Sequence, residues 1–319
     1  MRRALLTAAG IATLTIVLGG CAALGSAVSG IADAGARAGL PTAGSGLVVD
    51  GVRAVGAVAD AATSPFSPEQ EYYIGRSVSA TILRDYELSD DPVATAYLNL
   101  LGQSLALASE RPVLYHGYTF AILDTDEINA FATPGGHVFV SRGMLRLTET
   151  EDEVAAVLAH EIGHIVERHG LGSIRSARVA GAIQDGTFQM IDRISDSRMD
   201  EVTQLFGDTT ADVVDTLVTR GYSGPSERKA DSIAVAILME VGYDPFALIR
   251  LLERMDAAQQ AEYEGSRERR GFSRTHPRPQ SRIRDLQRSD LRNVEPGSRI
   301  DEEAARRRYE AAMRNIQAP

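Results

Sequence analysis

The stretch from Thr150 to Gly170 reads TEDEVAAVLAHEIGHIVERHG. Its apolar residues Val154, Val157, Leu158, Ile162, Ile165 and Val166 recur at three- and four-residue spacings, which stack on one face of an α-helix. Thr150 followed by Glu153 makes a capping box, and Glu151, Asp152 and Glu153 set negative charge at the positive end of the helix dipole. Gly170 supplies a stop, so the pattern predicts one continuous helix over 150–170.

His160-Glu161-Ile162-Gly163-His164 lies on that helix. A four-residue step is about one turn, so the two imidazoles project side by side and can grip one Zn²⁺, with Glu161 beside the place where a water would be activated. The bland alternative is two histidines on an ordinary surface helix; six His in the whole chain make this pattern rare by chance. A catalytic zinc takes three protein ligands and keeps one position open. One class of such sites has its third His six residues after the second, but here that position is Gly170. His169, five residues on, is turned to another side of a continuous helix and reads as a satisfied surface or core histidine. Glu227 is the better third ligand. Asp231 follows it by one turn and can accept a hydrogen bond from a ligand His, fixing its tautomer. Acids are common at helix starts in any case, so the pair gains its weight from the His-Glu-x-x-His before it.

With 319 residues and 44% hydrophobic content, the chain can bury one sizeable core plus appendages. A net charge of −10 with no basic patch argues against a nucleic-acid partner. At the N-terminus Arg2 and Arg3 form a charged region, Ala4 to Leu18 an apolar one, and Leu18-Gly19-Gly20-Cys21 follows. This resembles a bacterial lipoprotein signal with its lipobox, which makes Cys21 the acylated first residue of the mature chain. Two other readings are an uncleaved anchor and an ordinary secretory signal, although about 15 apolar residues fall short of the roughly 20 that span a bilayer. Cys21 is the single cysteine, so a disulfide within the chain is excluded. Ala22 next to it, where Asp would mark the inner membrane, favours the outer membrane facing the periplasm by the same resemblance.

The rest of the chain divides accordingly: 1–20 signal, 21–64 a flexible Ala/Gly-rich tether, 65–295 the catalytic body, 296–319 a C-terminal helix. Within the tether, residues 46–62 also fit a weak membrane-lying helix. Ser67, Pro68 and Gln70 start a helix to about Arg84, and a second runs from Asp91-Pro92 to about Ala108. Tyr118 to Leu123 alternates like a strand, and His137 to Ser141 is a β-rich run entered through Pro134-Gly135-Gly136. Ser173 to Thr219 is a polar, helical-patterned stretch placed to act as a lid, and Glu262 to Arg274 a charged loop. Further helices are expected at Glu227 to Val241, Asp244 to Gln260, Pro279 to Asp290 and Asp301 to Ile316. No period of 20 to 50 residues repeats.

Four motifs in order, NAFATPGGHVFVSRGML, HEIGH, SERKAD and THPRPQSR, resemble those of the M48 family of zinc metallopeptidases over roughly Ser67 to Asp290. The resemblance implies an α+β, mainly helical, zincin-type fold with a small sheet edge beside the active-site helix, and one Zn²⁺ held by His160, His164 and Glu227. It implies Glu161 as general base, Asp231 as the acid behind a ligand, and His276 and Arg282 near the reacting carbonyl, where a basic group stabilises the oxyanion. In some members the histidine region closes the open zinc position and keeps the enzyme latent. Larger members carry a helical-repeat domain where this sequence shows a short helix.

An extended substrate is expected along an edge strand at His137, Val138 and Phe139, because main-chain pairing accepts any sequence. Gly135 and Gly136 either let substrate backbone approach or simply form a hairpin turn. The leading expectation is a lipid-anchored endopeptidase acting on unfolded or misassembled envelope proteins. The alternative is a chaperone-like binding protein with latent or structural zinc.

Overall fold

The computed structural model of this chain describes residues 66–172, 221–263, 276 and 279–317, all within one compact unit. Cys21 with its lipobox, the 21–64 tether, the 173–219 lid candidate and residues 264–274 of the charged loop lie outside the described residues.

Among the described residues, α1 (Pro68–Asp85) and α2 (Pro92–Leu107) lead into a three-stranded sheet of β1 (Thr119–Leu123), β2 (Ala130–Thr133) and β3 (His137–Ser141). There follow α3 (Arg142–Leu147), α4 (Glu151–Val166), α5 (Gly224–Val241), α6 (Ala247–Tyr263), α7 (Pro279–Arg288) and α8 (Glu302–Met313). The expected mainly helical α+β class holds. No helix among the described residues is long and apolar enough to cross a membrane.

The helix starts follow from their caps. Ser67 and Gln70 satisfy each other's amides at 2.9 and 3.1 Å, and Asp91 accepts from Val93 N and Ala94 N at 2.9 and 3.0 Å. Ser223 caps α5 three residues earlier than expected, so Glu227 stands in its first turn, and the 221–226 stretch read as a loop is half helix.

The sheet order is β1-β3-β2, with β1 parallel to β3 and β2 antiparallel to it. β3 is therefore the central strand, paired on both sides, and the expected edge at His137, Val138 and Phe139 is not an edge. β1 is also closed on its outer side. Asn99 of α2 donates to Phe120 O at 2.6 Å and accepts from Phe120 N at 3.1 Å, Gln103 donates to Tyr118 O, and Ser89 N donates to Ile122 O. The open edge among the described residues is β2. That strand gave no alternation in sequence because its four residues are all buried, with both faces covered.

Gly135 and Gly136 pack against their own chain. A Cβ on Gly135 would meet Tyr72 Cα at 2.6 Å and one on Gly136 would meet Gly117 O at 2.6 Å; both residues have positive φ. They form a turn wedged beneath α1, which answers the two readings left open in sequence: the close approach is to α1 and to the turn at Gly117.

α4 runs through the centre and is buried along nearly all of its length. Its acidic first turn is paired inside the protein. Glu151 takes Tyr243 Oη at 3.0 Å and Arg308 Nε at 3.1 Å, and Glu153 takes Arg254 and, at 2.7 Å, Glu149 N. Arg308 belongs to α8, whose Tyr309 also donates to Thr148 O at 2.5 Å, so the C-terminal helix is built into the core.

The helix does not continue to Gly170. It ends at Val166, Arg168 turns left-handed with φ of 54°, and a new turn begins at His169.

Candidate metal centre

α4 presents His160, Glu161 and His164, and α5 lies across it with its backbone close to Gly163. Gly163 makes that crossing possible, since a Cβ there would stand 2.8 Å from Ala230 O of α5. Ala230 neighbours Asp231 and lies three residues from Glu227, so the close crossing carries both carboxylates over the two histidines. His164 Nε2 is 3.5 Å from Glu227 Oε1, and His160 Nε2 is 3.7 Å from Glu227 Oε2. The two Nε2 atoms are 3.1 Å apart.

His276 completes the group. Its Nδ1 lies 3.0 Å from Glu227 Oε1 and 3.4 Å from His160 Nε2. One donor atom from each of His160, His164, Glu227 and His276 falls within 4.8 Å of the others, and all four residues are buried. His276, expected beside the site as an oxyanion partner, sits inside the donor set.

Behind the donors lies a second layer. Asp231 Oδ1 is 3.0 Å from His160 Nδ1, where it holds the ring by its outer nitrogen. Arg282 of α7 grips Asp231 with Nε at 2.8 Å and a terminal nitrogen at 2.6 Å, and its other terminal nitrogen is 3.0 Å from Glu227 Oε2. The guanidinium, 3% exposed, is a clamp on two carboxylates. Tyr222, just ahead of the α5 cap, stacks on His164 with centroids 3.9 Å apart and points its hydroxyl at Ala132 O of β2, 3.4 Å away.

The electrostatics follow from burial. Burial pushes the Glu161 carboxyl up and His164 well below the usual imidazole range. For Glu227, burial acts upward but His276 and Arg282 outweigh it and hold the carboxyl below its ordinary value. Asp231 is depressed against its own burial by Arg282. His276 is raised, because Glu227 beside it overcomes the opposing effect of burial.

These residues fit a divalent metal. Both oxygens of Glu161 are buried without a hydrogen-bond partner, the nearest basic atom being His276 Nε2 at 3.7 Å. Three buried carboxylates, Glu161, Glu227 and Asp231, share one buried guanidinium. A dication among them balances the excess charge, and mixed imidazole and carboxylate donors suit zinc chemistry.

All of the expected metal and catalytic residues thus come together. Gly135, Gly136, Val138 and Phe139 do not join them, lying in the turn under α1 and in the central strand. His137 sits at the start of that strand, its Nδ1 2.8 Å from Thr119 Oγ1. Tyr222 and the strand β2 were missed, since nothing in a Gly-Tyr-Ser-Gly loop announces a ring stacked on His164. His169, expected on another side of an unbroken helix, stands with its Nδ1 2.9 Å from His164 Nδ1.

A model of peptidase family M48 matches residues 92–290. The beta-barrel assembly-enhancing protease of Escherichia coli (strain K12) is 29% identical over 228 residues, 70% of this chain and 44% of that protein. The protein of the same name in Yersinia pestis is 31% identical over 255 residues, 74% of this chain and 49% of its own. A mitochondrial metalloendopeptidase of Schizosaccharomyces pombe is 34% identical over 160 residues, 50% of this chain and 42% of its own. The chain spans a little under half the length of each. Because the matched region opens at the first residue of α2, closes just past α7 and takes in every member of the buried cluster, the chain belongs to peptidase family M48.

Proposed function

We propose that this chain is a zinc endopeptidase that cuts extended segments of unfolded or misassembled cell-envelope proteins. The observation that carries the reading is the convergence of His160, His164 and Glu227 in a buried site beside the unpartnered carboxylate of Glu161. Relatives named as proteases and an endopeptidase support it.

Zinc, when bound, would supply Lewis-acid activation of a water and of the scissile carbonyl. His160, His164 and Glu227 hold it, Asp231 keeps His160 in the right tautomer, and Arg282 holds Asp231 and Glu227 in place. Glu161 takes the proton of the attacking water and delivers it to the leaving amine; burial, which favours a protonated carboxyl, equips it for the second half of that task. The substrate strand pairs along β2. Ser141 N donates to Asn129 O, so the alternation of an antiparallel ladder turns the peptide groups of Ala130 and Ala132 away from β3 towards the open edge, where Tyr222 Oη already lies 3.4 Å from Ala132 O and would have to yield to a substrate strand.

A latent resting form is favoured by one observation, the place of His276 Nδ1 within the donor set. Purified protein given zinc and an unfolded protein substrate is expected to cleave it, to stop with a chelator and to resume with added zinc. His276→Ala is expected to cleave faster if that ring blocks the site and slower if it serves the chemistry. A wild type and a His276→Ala chain that both bind zinc yet cleave nothing would leave the chaperone-like alternative.

The anchor belongs to the same reading. Acylation at Cys21 would hold the enzyme at the outer membrane facing the periplasm. Labelled fatty acid is expected to enter the wild type and not Cys21→Ser; label retained in the variant removes the anchor.

A further inference from the structure

A few residues beyond His164, the chain brings another imidazole back against the helix it has just left. His164 Nδ1 and His169 Nδ1 are 2.9 Å apart, with ring centroids at 5.0 Å and planes inclined by 66°. The other nitrogen of His164, Nε2, is the one that faces Glu227 and His160. A neutral imidazole offering a lone pair from Nε2 carries its proton on Nδ1, and His169 Nδ1 is the atom placed to accept that hydrogen.

We infer that His169 is a positioning residue for the site, holding the ring of His164 by its outer nitrogen as Asp231 holds that of His160. The two imidazoles on α4 are then each fixed from behind, one by a carboxylate and one by a neutral ring.

The chain goes out of its way to make this contact. On a continuous helix a five-residue step turns about 140° around the axis, which would carry His169 away from His164. Arg168 instead adopts φ of 54°, the sole positive φ at a residue other than glycine among the described residues. That conformation is unfavourable for a residue with a Cβ and persists only where its surroundings enforce it. Here they do. Arg168 Nε lies 3.4 Å from Glu71 Oε2 of α1. Arg111 binds the same buried carboxylate with both terminal nitrogens, at 3.1 and 3.0 Å, and donates to Ile165 O at 2.9 Å. One buried acid and two arginines thus end α4 at the point where the chain must double back for His169 to reach His164. Tyr222, stacked on the face of His164, limits the remaining freedom of that ring.

The inference rests on the zinc reading of the site, and the test separates the two. Zinc affinity of the purified full-length chain is measured by competition with a chromophoric chelator, alongside the melting temperature of the metal-free protein. His169→Leu, which fills the space without an acceptor, is expected to bind zinc about 10- to 100-fold more weakly. His169→Asn places an oxygen near the old Nδ1 position and is expected to stay within about threefold of wild type. Metal-free melting temperatures should match in all three, which a merely structural role for His169 would not give. Equal affinity in the Leu variant and wild type, or an Asn variant no better than Leu, overturns the inference. Should the Leu chain fail to fold, His169→Gln replaces it, since its oxygen reaches to the Nε2 position; Asn and Gln variants of equal affinity then overturn the claim. A wild-type chain that binds no zinc removes the zinc reading itself and this inference with it.

Discussion

Glu161→Gln is expected to lower the rate of peptide cleavage by about 10²- to 10⁴-fold while leaving zinc affinity within a few-fold of wild type. The amide keeps the shape of the carboxylate but cannot take a proton from water at neutral pH. Glu161 lies outside the set of atoms that converge between His160, His164, Glu227 and His276, so the donors stay intact. Its oxygens are buried without partners, so the exchange breaks no hydrogen bond, and removing a buried charge from a site with excess carboxylate should leave the fold as stable or more so. The measurement is steady-state cleavage of an unfolded substrate by both proteins, with zinc content determined on the same samples. Cleavage by Glu161→Gln within about tenfold of wild type would show that another group accepts the proton.

Arg282→Met should act in the opposite sense, on stability more than on chemistry. The methionine fills much of the volume but leaves Asp231 and Glu227 facing each other at a site where Arg282 had contacted both. Removing one partner of a buried ion pair typically costs about 3–5 kcal/mol, because the remaining charge is left uncompensated. Arg282→Lys is not expected to restore this, since a single ammonium cannot reproduce the fork that binds Asp231 through two nitrogens. Denaturant unfolding of the metal-free proteins reads the loss directly. Added zinc should recover part of it in Arg282→Met, by replacing one cation with another beside the same carboxylate. A metal-free Arg282→Met protein within about 1 kcal/mol of wild type would mean that those acids are compensated elsewhere.

The helices were legible wherever a cap and a periodic face coincided. Ser67 with Gln70, Asp91 before Pro92, Thr150 with Glu153 and Asp301 each start a helix within a residue of the expected place. β3 and β1 were legible from their β-branched and aromatic content. β2 was not, because Ala130–Thr133 is covered on both faces and carries no polar residue in alternation. That single omission misplaced the open edge of the sheet, since His137–Ser141 looks like an edge strand only while its second neighbour is unknown.

Local pattern alone supplied the side-chain types of the centre. A turn of helix sets His160 and His164 side by side in any fold, and Glu227 and Asp231 share a face for the same reason. Which distant residues meet them is a different matter, decided by packing. Gly163 lets α5 approach closely enough for its carboxylates to reach α4, α7 brings Arg282 under them, and the clamp of Glu71 and Arg111 coincides with the break after Val166 that returns His169 to His164. Helical periodicity is written in residues a few positions apart, so it can be read in one dimension. The left-handed turn at Arg168, the open side of β2 and the place of His276 depend on atoms brought together from 40 to 116 positions apart along the chain, and only the folded core chooses among the arrangements that local spacing permits.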